Sequence, residues 1–149
     1  MTFKSSPYSN AYSRSCARCT HVLRAHRNDM PIITDKIINA VIMQESRGDD
    51  MAIGDLHLPN KAYGPMQIRQ PVCDDVNRVF GTNLTAQIMR GNRQLSIDTF
   101  EKYLKIYATD KRLGRAPTTE DICRIWNGGP FGYEKPSTLV YWQQIQRYL

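Results

Sequence analysis

Glu45 is the side chain whose place in the sequence points most directly to chemistry. It lies near the end of a predicted helix that Thr34 can cap and Gly48 ends, whose apolar residues recur at helical spacing: Ile37, Ile38, Val41 and Ile42. At about 100° per residue, Glu45 falls inside this apolar stripe. Burial raises the pKa of a carboxyl group, and a carboxylic acid protonated near neutral pH can give a proton to a glycosidic oxygen. The alternative is a structural Glu that pairs with Arg47.

The elements that must position Glu45 are predicted to be mainly helical, with one irregular region after the first core helix. Residues 52–68 contain turn formers without a helical period, which indicates a long loop or a small irregular hairpin. Three further helices are predicted from the apolar period and the residues that flank it. The first runs from Pro71 to Gly81 and the second from Leu95 to about Ala108. The third begins at Thr118, which can form a capping box with Asp121, and is ended by Asn127-Gly128-Gly129-Pro130. A last helix is expected to begin at Ser137 as its cap and to carry Tyr141 and Ile145.

The predicted inner face of each helix is formed by apolar residues three or four positions apart. The apolar stripes of the second and third predicted helices are Val72, Val76, Val79 and Phe80, and then Ile97, Phe100, Leu104 and Tyr107. Ile122, Ile125 and Trp126 follow the capping box. No apolar run is long enough to cross a bilayer, so a membrane span is not expected.

Charge divides the 149 residues into two parts. Residues 1–30 contain five Lys or Arg and one acidic residue, whereas residues 31–149 contain fifteen basic and thirteen acidic residues. We therefore predict a basic, flexible N-terminal arm over 1–30 and one folded domain over 31–149. The arm suits an anionic partner or is simply solvated. Nucleic acid is not expected to be the main partner, because the domain is nearly neutral and contains no recognition motif.

The cysteines and histidines give no strong indication of a metal site. Four residues in the arm have the types of a zinc site: Cys16, Cys19, His21 and His26. Their spacing is shorter than that of a zinc finger, so a reducible cysteine pair is the preferred interpretation. Cys73 and Cys123 lie in apolar segments and are predicted to be buried thiols. His57 is the single histidine of residues 31–149, which argues against a metal-dependent amidase or peptidase, and we expect no metal and no other cofactor.

Four short motifs, in order, carry a resemblance to a known family. They are Glu45-Ser46, Ala62-Tyr63-Gly64-Pro65-Met66-Gln67-Ile68, Ile125-Trp126-Asn127-Gly128-Gly129-Pro130, and Thr138-Leu139-Val140-Tyr141. This order resembles the catalytic domain of soluble lytic transglycosylases, which belong to the lysozyme-like superfamily. The chain departs from that pattern at Pro65, where Leu is common, and at Trp126, where Tyr is usual. The family also has a central Tyr-Leu that follows an Asn-containing element; here Tyr103-Leu104 is present, with Ser96 where an Asn is common.

The resemblance implies a lysozyme-like α+β fold and cleavage of the β-1,4 bond between MurNAc and GlcNAc in peptidoglycan. Glu45 would be the general acid and then the base that guides the substrate's own C6 hydroxyl, giving a 1,6-anhydro product. A hydrolase on the same fold, a muramidase or a chitin- or chitosan-cleaving enzyme, usually needs a second carboxylate, for which Asp55 in the loop is preferred. Asp55 could also be a turn former beside Gly54.

The same resemblance implies which side chains bind the glycan strand. They are Ser46, Tyr63, Gly64, Met66, Gln67, Trp126, Asn127 and Tyr141. Met66 would form part of the cleft floor, and the hydroxyl of Tyr141 would approach Glu45. The alternatives are core packing for Met66 and Tyr141 and a plain helix end at Asn127.

Two further expectations concern the biology. Residues 1–30 lack the apolar segment of a secretory signal, so we expect a protein that stays in the cytoplasm until another factor releases it, as phage endolysins do, or a virion component that acts on the cell wall. A competing function of another class is a non-enzymatic module that binds wall polymer or nucleic acid through its basic arm.

Overall fold

The computed structural model describes residues 31–149. The predicted basic arm and the Cys16, Cys19, His21 and His26 cluster lie outside the described residues. In the described part, six α-helices are α1 Asp35–Ser46, α2 Gln70–Phe80, α3 Arg93–Tyr107, α4 Asp110–Leu113, α5 Thr119–Gly128 and α6 Leu139–Ile145. Short 3-10 turns cover Gln87–Met89, Pro136–Thr138 and Gln146–Tyr148. The strands β1 Ile53–Gly54 and β2 Ala62–Tyr63 form an antiparallel pair. The predicted mainly helical α+β class is confirmed.

The signals at the ends of the helices explain most of the boundaries. The Thr34 hydroxyl accepts the backbone N–H of Ile37 at 3.3 Å, and α1 ends at Arg47, which is left-handed at φ 56°. Thr118 and Asp121 form the predicted capping box of α5. Helix α3 begins two residues earlier than predicted, because the side chain of Asn92 caps it.

The prediction that Ser137 caps the last helix is wrong. Ser137 lies inside the 3-10 turn Pro136–Thr138, which leads directly into α6. Proline has its φ angle restricted to helical values, so the turn starts there and not at Ser137. The buried Thr138 then anchors the turn, since its hydroxyl donates to the carbonyl oxygen of Gly132 at 2.7 Å.

The core lies where α1, α2, α3, α5 and α6 meet, and it buries the predicted stripe of α1 completely: Ile37, Ile38, Val41 and Ile42. Cys73 and Cys123 are buried thiols as predicted, and burial raises the pKa of Cys73 to about 11 and that of Cys123 to about 12. Val79 and Phe80 were predicted to lie on the inner face of α2 but are 49% and 41% exposed. That inner face is formed by Cys73 and Val76, and the last turn of α2 extends beyond the core.

The predicted irregular region is a hairpin followed by a tight turn. Ile53 pairs with Tyr63 and Gly54 with Ala62, and Tyr63 forms a further bridge with Ile68. Gly64 begins the turn at φ +76°, and a Cβ at this position would overlap the carbonyl oxygen of Met89. This close approach fixes the hairpin against the rest of the domain. Among residues 31–149, no helix is long and apolar enough to span a membrane.

Candidate active site

A cavity of about 670 Å³ opens beside the C-terminal end of α1. The hairpin, the start of α2, the middle of α3 and the end of α5 form its other walls. Five residues of the predicted site line it, namely Glu45, Asp55, Gln67, Trp126 and Asn127. The fold therefore brings side chains from three distant sequence motifs to one depression of a size suited to a small ligand or a few sugar rings.

Glu45 occupies the last turn of α1, with its carboxyl group at the wall of this cavity. Burial raises its pKa from 4.5 to about 7. Three neighbours also change this pKa: the hydrogen bond from Tyr141 and the charge of Arg69 lower it, whereas the charge of Asp55 raises it. The position of Glu45 on the apolar face of its own helix thus has the consequence predicted from the sequence, a carboxyl group that holds its proton near neutral pH.

Tyr141 is the direct partner of Glu45. Its hydroxyl donates to Oε1 of Glu45 at 2.7 Å, although the two residues are 96 positions apart. Tyr141 is buried on α6, and burial raises the pKa of its hydroxyl well above the usual 10. The hydroxyl therefore stays a proton donor toward Glu45 over the whole physiological range.

Asp55 follows β1 directly, in the left-handed conformation at φ 54°. Its carbonyl oxygen accepts the N–H of Leu58 at 2.8 Å, so Asp55 also begins a turn, as its alternative interpretation proposed. Its Oδ2 forms an ion pair with Nη2 of Arg69, and both side chains line the cavity that contains Glu45. Asp55 thus combines a turn position with a carboxylate in the cleft.

Gln67 is the second left-handed residue of the cavity wall, at φ 51°. Its side-chain Nε2 donates to the carbonyl oxygen of Gly64 at 2.9 Å. The amide lies so close over Gly54 that a Cβ there would overlap Oε1 of Gln67. Gly54 is needed for this packing, which holds the amide group of Gln67 at the cavity wall.

Trp126 and Asn127 come from the last turn of α5. The ring of Trp126 packs edge-on against Phe100 and Tyr103, with centroid distances of 4.9 and 5.7 Å. Asn127 is exposed at the cavity rim, just before the helix ends at Gly129. The wall therefore offers an aromatic surface held by two other rings, beside an amide at the rim.

The remaining predicted residues lie behind the cavity wall. Ser46 donates its hydroxyl to the carbonyl oxygen of Pro65 at 2.8 Å and so ties the end of α1 to the turn after the hairpin. Tyr63 and Gly64 belong to the hairpin and its turn and do not line the cavity. The expectation that Met66 forms the cleft floor is wrong: its side chain is fully buried in the core, because the turn after Gly64 points it inward.

Three charged or aromatic residues of the cavity were not among the predicted site residues. Arg69 directly follows the hairpin motif, Asp75 lies on α2, and Tyr103 lies on α3. Asp75 pairs with Arg78 at 3.0 Å, and burial raises the pKa of Tyr103. Arg69 and Asp75 resemble ordinary surface residues in the sequence, so no local signal distinguished them. Tyr103 belongs to the Tyr103-Leu104 element of the family resemblance, which could have indicated it. Within residues 31–149, no three or more His, Cys, Asp or Glu side chains come together as metal ligands.

Comparisons with known proteins define the fold. No protein-family model and no curated protein matches the chain. Solved structures do match: a chain of the complex of Aeromonas hydrophila PliI with Meretrix lusoria lysozyme is similar with a TM-score of 0.66 and 23% identity, covering 78% of this chain and 91% of that chain. An inhibitor-bound lysozyme from Meretrix lusoria follows with a TM-score of 0.65, 23% identity, and coverage of 77% and 89%. Tapes japonica lysozyme has a TM-score of 0.65 and 22% identity, with coverage of 78% and 90%.

These similarities confirm the lysozyme-like fold that the sequence resemblance implied. Two of these structures are lysozymes and the other is a complex that contains one; none of the three is a soluble lytic transglycosylase. The comparisons therefore show the lysozyme-like fold, and they do not show the soluble lytic transglycosylase family.

Proposed function

We propose that this protein cleaves the β-1,4 bond between MurNAc and GlcNAc in peptidoglycan, with Glu45 as the general acid and base. The observation that carries the proposal is the carboxyl group of Glu45 in the cavity wall, whose pKa of about 7 keeps much of it protonated near neutral pH. A general acid works best when its pKa lies near the operating pH. The lysozyme-like fold supports a glycan as substrate.

The contact with Tyr141 makes the two oxygens of Glu45 unequal. Tyr141 donates to Oε1, which leaves Oε2 as the oxygen that we propose carries the transferable proton. A glycosidic oxygen bound in the cavity would receive this proton as the bond to the anomeric carbon breaks. Tyr141 then stabilises the carboxylate that remains, since a hydrogen bond to the charged form favours it.

Hydrolysis is the first candidate reaction, and the presence of two carboxyl groups in one cavity supports it. Glycoside hydrolases generally use two carboxylates on either side of the scissile bond, one as the acid and one as the base or nucleophile. Asp55 and Glu45 line the same cavity, and the charge of Asp55 acts on the pKa of Glu45. We therefore propose Asp55 as the second carboxylate of a muramidase-type reaction.

A lytic transglycosylase is the second candidate, and the sequence motifs favour it. In that reaction Glu45 alone would act, first as the acid and then as the base for the C6 hydroxyl of the same sugar. The contact between Tyr141 and Glu45 is the one that the resemblance implied for this family. The two candidates differ in whether Asp55 is needed and in whether the product ends in a 1,6-anhydro sugar.

We propose that the glycan is bound by the residues that line the cavity. Trp126 offers an apolar face for a sugar ring, and the amides of Gln67 and Asn127 offer donors and acceptors for its hydroxyl and acetamido groups. Ser46, Tyr63, Gly64 and Met66 would act indirectly, by holding the hairpin against α1. Of these predicted residues, Trp126, Gln67 and Asn127 would thus contact the glycan, and the other four would support the site.

The test is to incubate purified wild type, Glu45→Gln and the exposed control Glu134→Gln with peptidoglycan and to identify the soluble products by mass spectrometry. We expect cleavage by wild type and the control and a loss of at least about a hundredfold in Glu45→Gln. Reducing ends would support hydrolysis, and 1,6-anhydro ends would support the transglycosylase. A folded wild type that cleaves no peptidoglycan, but binds wall polymer with a steep dependence on salt, would favour the binding module.

A further inference from the structure

Arg69 is the basic side chain that faces Asp55 within the cavity. The two form an ion pair between Nη2 and Oδ2, with side-chain exposures of 46% and 31%. An ion pair as exposed as this contributes little to the stability of the fold. Its position between the two walls of a cavity that contains Glu45 suggests a role in the site.

The backbone on both sides of the pair is held firmly. Asp55 has a left-handed backbone and begins a turn that the N–H of Leu58 closes. Arg69 is the residue before α2, and its neighbour Ile68 exchanges two backbone hydrogen bonds of 3.0 Å with Tyr63. The ion pair therefore joins the loop after β1 to the start of α2, and it limits the orientations that the carboxylate of Asp55 can adopt.

Charged and titratable groups from the hairpin, α2, α3 and α6 line the cavity or contact Glu45. They are Asp55 in the loop after β1, Arg69 before α2, Asp75 on α2, Tyr103 on α3 and Tyr141 on α6. Asp75 has its own partner in Arg78. Arg69 is thus the basic group that acts on Glu45, and Asp55 is the acidic group, with opposite effects.

We propose that Arg69 is a positioning residue that orients the Asp55 carboxylate in the cleft and offsets the negative charge that Asp55 exerts on Glu45. The inference rests on the proposed function, because it concerns how two carboxylates of one site can serve different tasks. With Arg69 in place, Asp55 can approach the reacting sugar as an anion while the proton of Glu45 stays available near neutral pH. Without Arg69, the charge of Asp55 would act on Glu45 without this compensation.

The test compares Arg69→Gln, which removes the charge, with Arg69→Lys, which keeps it. Lys36→Gln is the matched control: it also removes one positive charge, from an exposed position in the first turn of α1, about 14 Å along the helix from Glu45. Each protein is labelled with ¹³C in its carboxyl groups and titrated by NMR. The same proteins are assayed on peptidoglycan over a range of pH, with kcat and KM measured separately.

In Arg69→Gln we expect the pKa of Glu45 to rise by about half a pH unit, the scale of a unit charge acting across several ångströms of solvated cleft. The alkaline limb of the activity profile should move with it. Because Asp55 loses its orientation, kcat should fall about tenfold or more with little change in KM. Arg69→Lys should restore the alkaline limb but only part of kcat, since an ammonium group does not reproduce the planar donor fork of Arg.

A double substitution separates this role from a structural one. Adding Asp55→Asn to Arg69→Gln removes both charges, and the pKa of Glu45 should return toward its wild-type value. An unchanged Glu45 titration in Arg69→Gln would overturn the proposed offset of charge, and an unchanged kcat would overturn the positioning of Asp55. The NMR titration needs no substrate. A protein that cleaves no peptidoglycan would therefore refute the proposed function, and the effect of Arg69 on the pKa of Glu45 could still be measured.

Discussion

Replacing Glu45 by Gln should stabilise the fold at neutral pH while it lowers cleavage at least about a hundredfold. The carboxyl group has a pKa of about 7 in the folded protein and 4.5 as the ordinary value, so folding favours its protonated form. Below pH 4.5 the group is protonated in both states and costs nothing. As the pH rises toward 7, the unfolded chain ionises first, and stability is lost until the folded carboxyl group ionises as well. Gln is neutral at every pH and removes this loss.

The magnitude follows from the size of the pKa difference. A rise from 4.5 to about 7 corresponds to about 3 kcal/mol of unfolding free energy above pH 7. This is an upper limit, because the side chain is only partly buried and water reduces the effect. Gln keeps an oxygen that can accept the hydrogen bond from the Tyr141 hydroxyl, so little is lost in exchange.

The assay is urea unfolding of wild type and Glu45→Gln at about pH 4 and about pH 8, followed by tryptophan fluorescence. We expect the difference in unfolding free energy to move in favour of Glu45→Gln by 1 to 3 kcal/mol, roughly, between the two pH values. Glu134→Gln, an exposed matched control, should show no such change. A difference between wild type and Glu45→Gln that is the same at both pH values would refute the reasoning, because Glu45 would then ionise equally in both states.

Three further substitutions test two neighbours of Glu45 and the packing of the hairpin turn. Tyr141→Phe removes a hydrogen bond that lowers the pKa of Glu45, so the alkaline limb of activity should move to higher pH; a limb that stays or falls would contradict this role. Asp55→Asn should lower the pKa of Glu45 in an NMR titration and, for a hydrolase, reduce kcat about a hundredfold, whereas a transglycosylase would keep its kcat. Gly64→Ala should lower the free energy of unfolding, measured with urea, by about 3 kcal/mol, because it adds a steric clash at a position with positive φ. Gly81→Ala, at φ +66° in open space, should lower it by about 1 kcal/mol. Equal losses in the two variants would refute the close packing at Gly64.

Much of the fold could be predicted because its signals are local. The stripe of α1, the cap at Thr34 and the capping box of Thr118 with Asp121 each involve residues within one or two turns of helix. The prediction failed at Ser137, where a proline begins the turn, and at Phe80, where helix α2 extends beyond its neighbours. At Ser137 the proline replaced the expected cap as the start of the turn, and at Phe80 the periodic pattern continued past the point where the packing ends.

The sequence by itself determined that Glu45 lies on the apolar face of its helix, because 3.6 residues per turn set the faces of a helix before it packs. Tyr141 is 96 residues away, and its approach to Glu45 was implied by the family resemblance and by no local pattern. Only the tertiary structure decided the rest of what surrounds that carboxyl group, because the pair of Asp55 with Arg69 joins two segments that no periodic pattern connects. The tertiary structure also decided which residues of the Gly64–Ile68 turn lie in the core and which line the cavity: Met66 is buried in the core, and its neighbour Gln67 lines the cavity. A pattern in sequence specifies the face that each element presents, whereas the pKa of a buried group depends on every element that packs against that face.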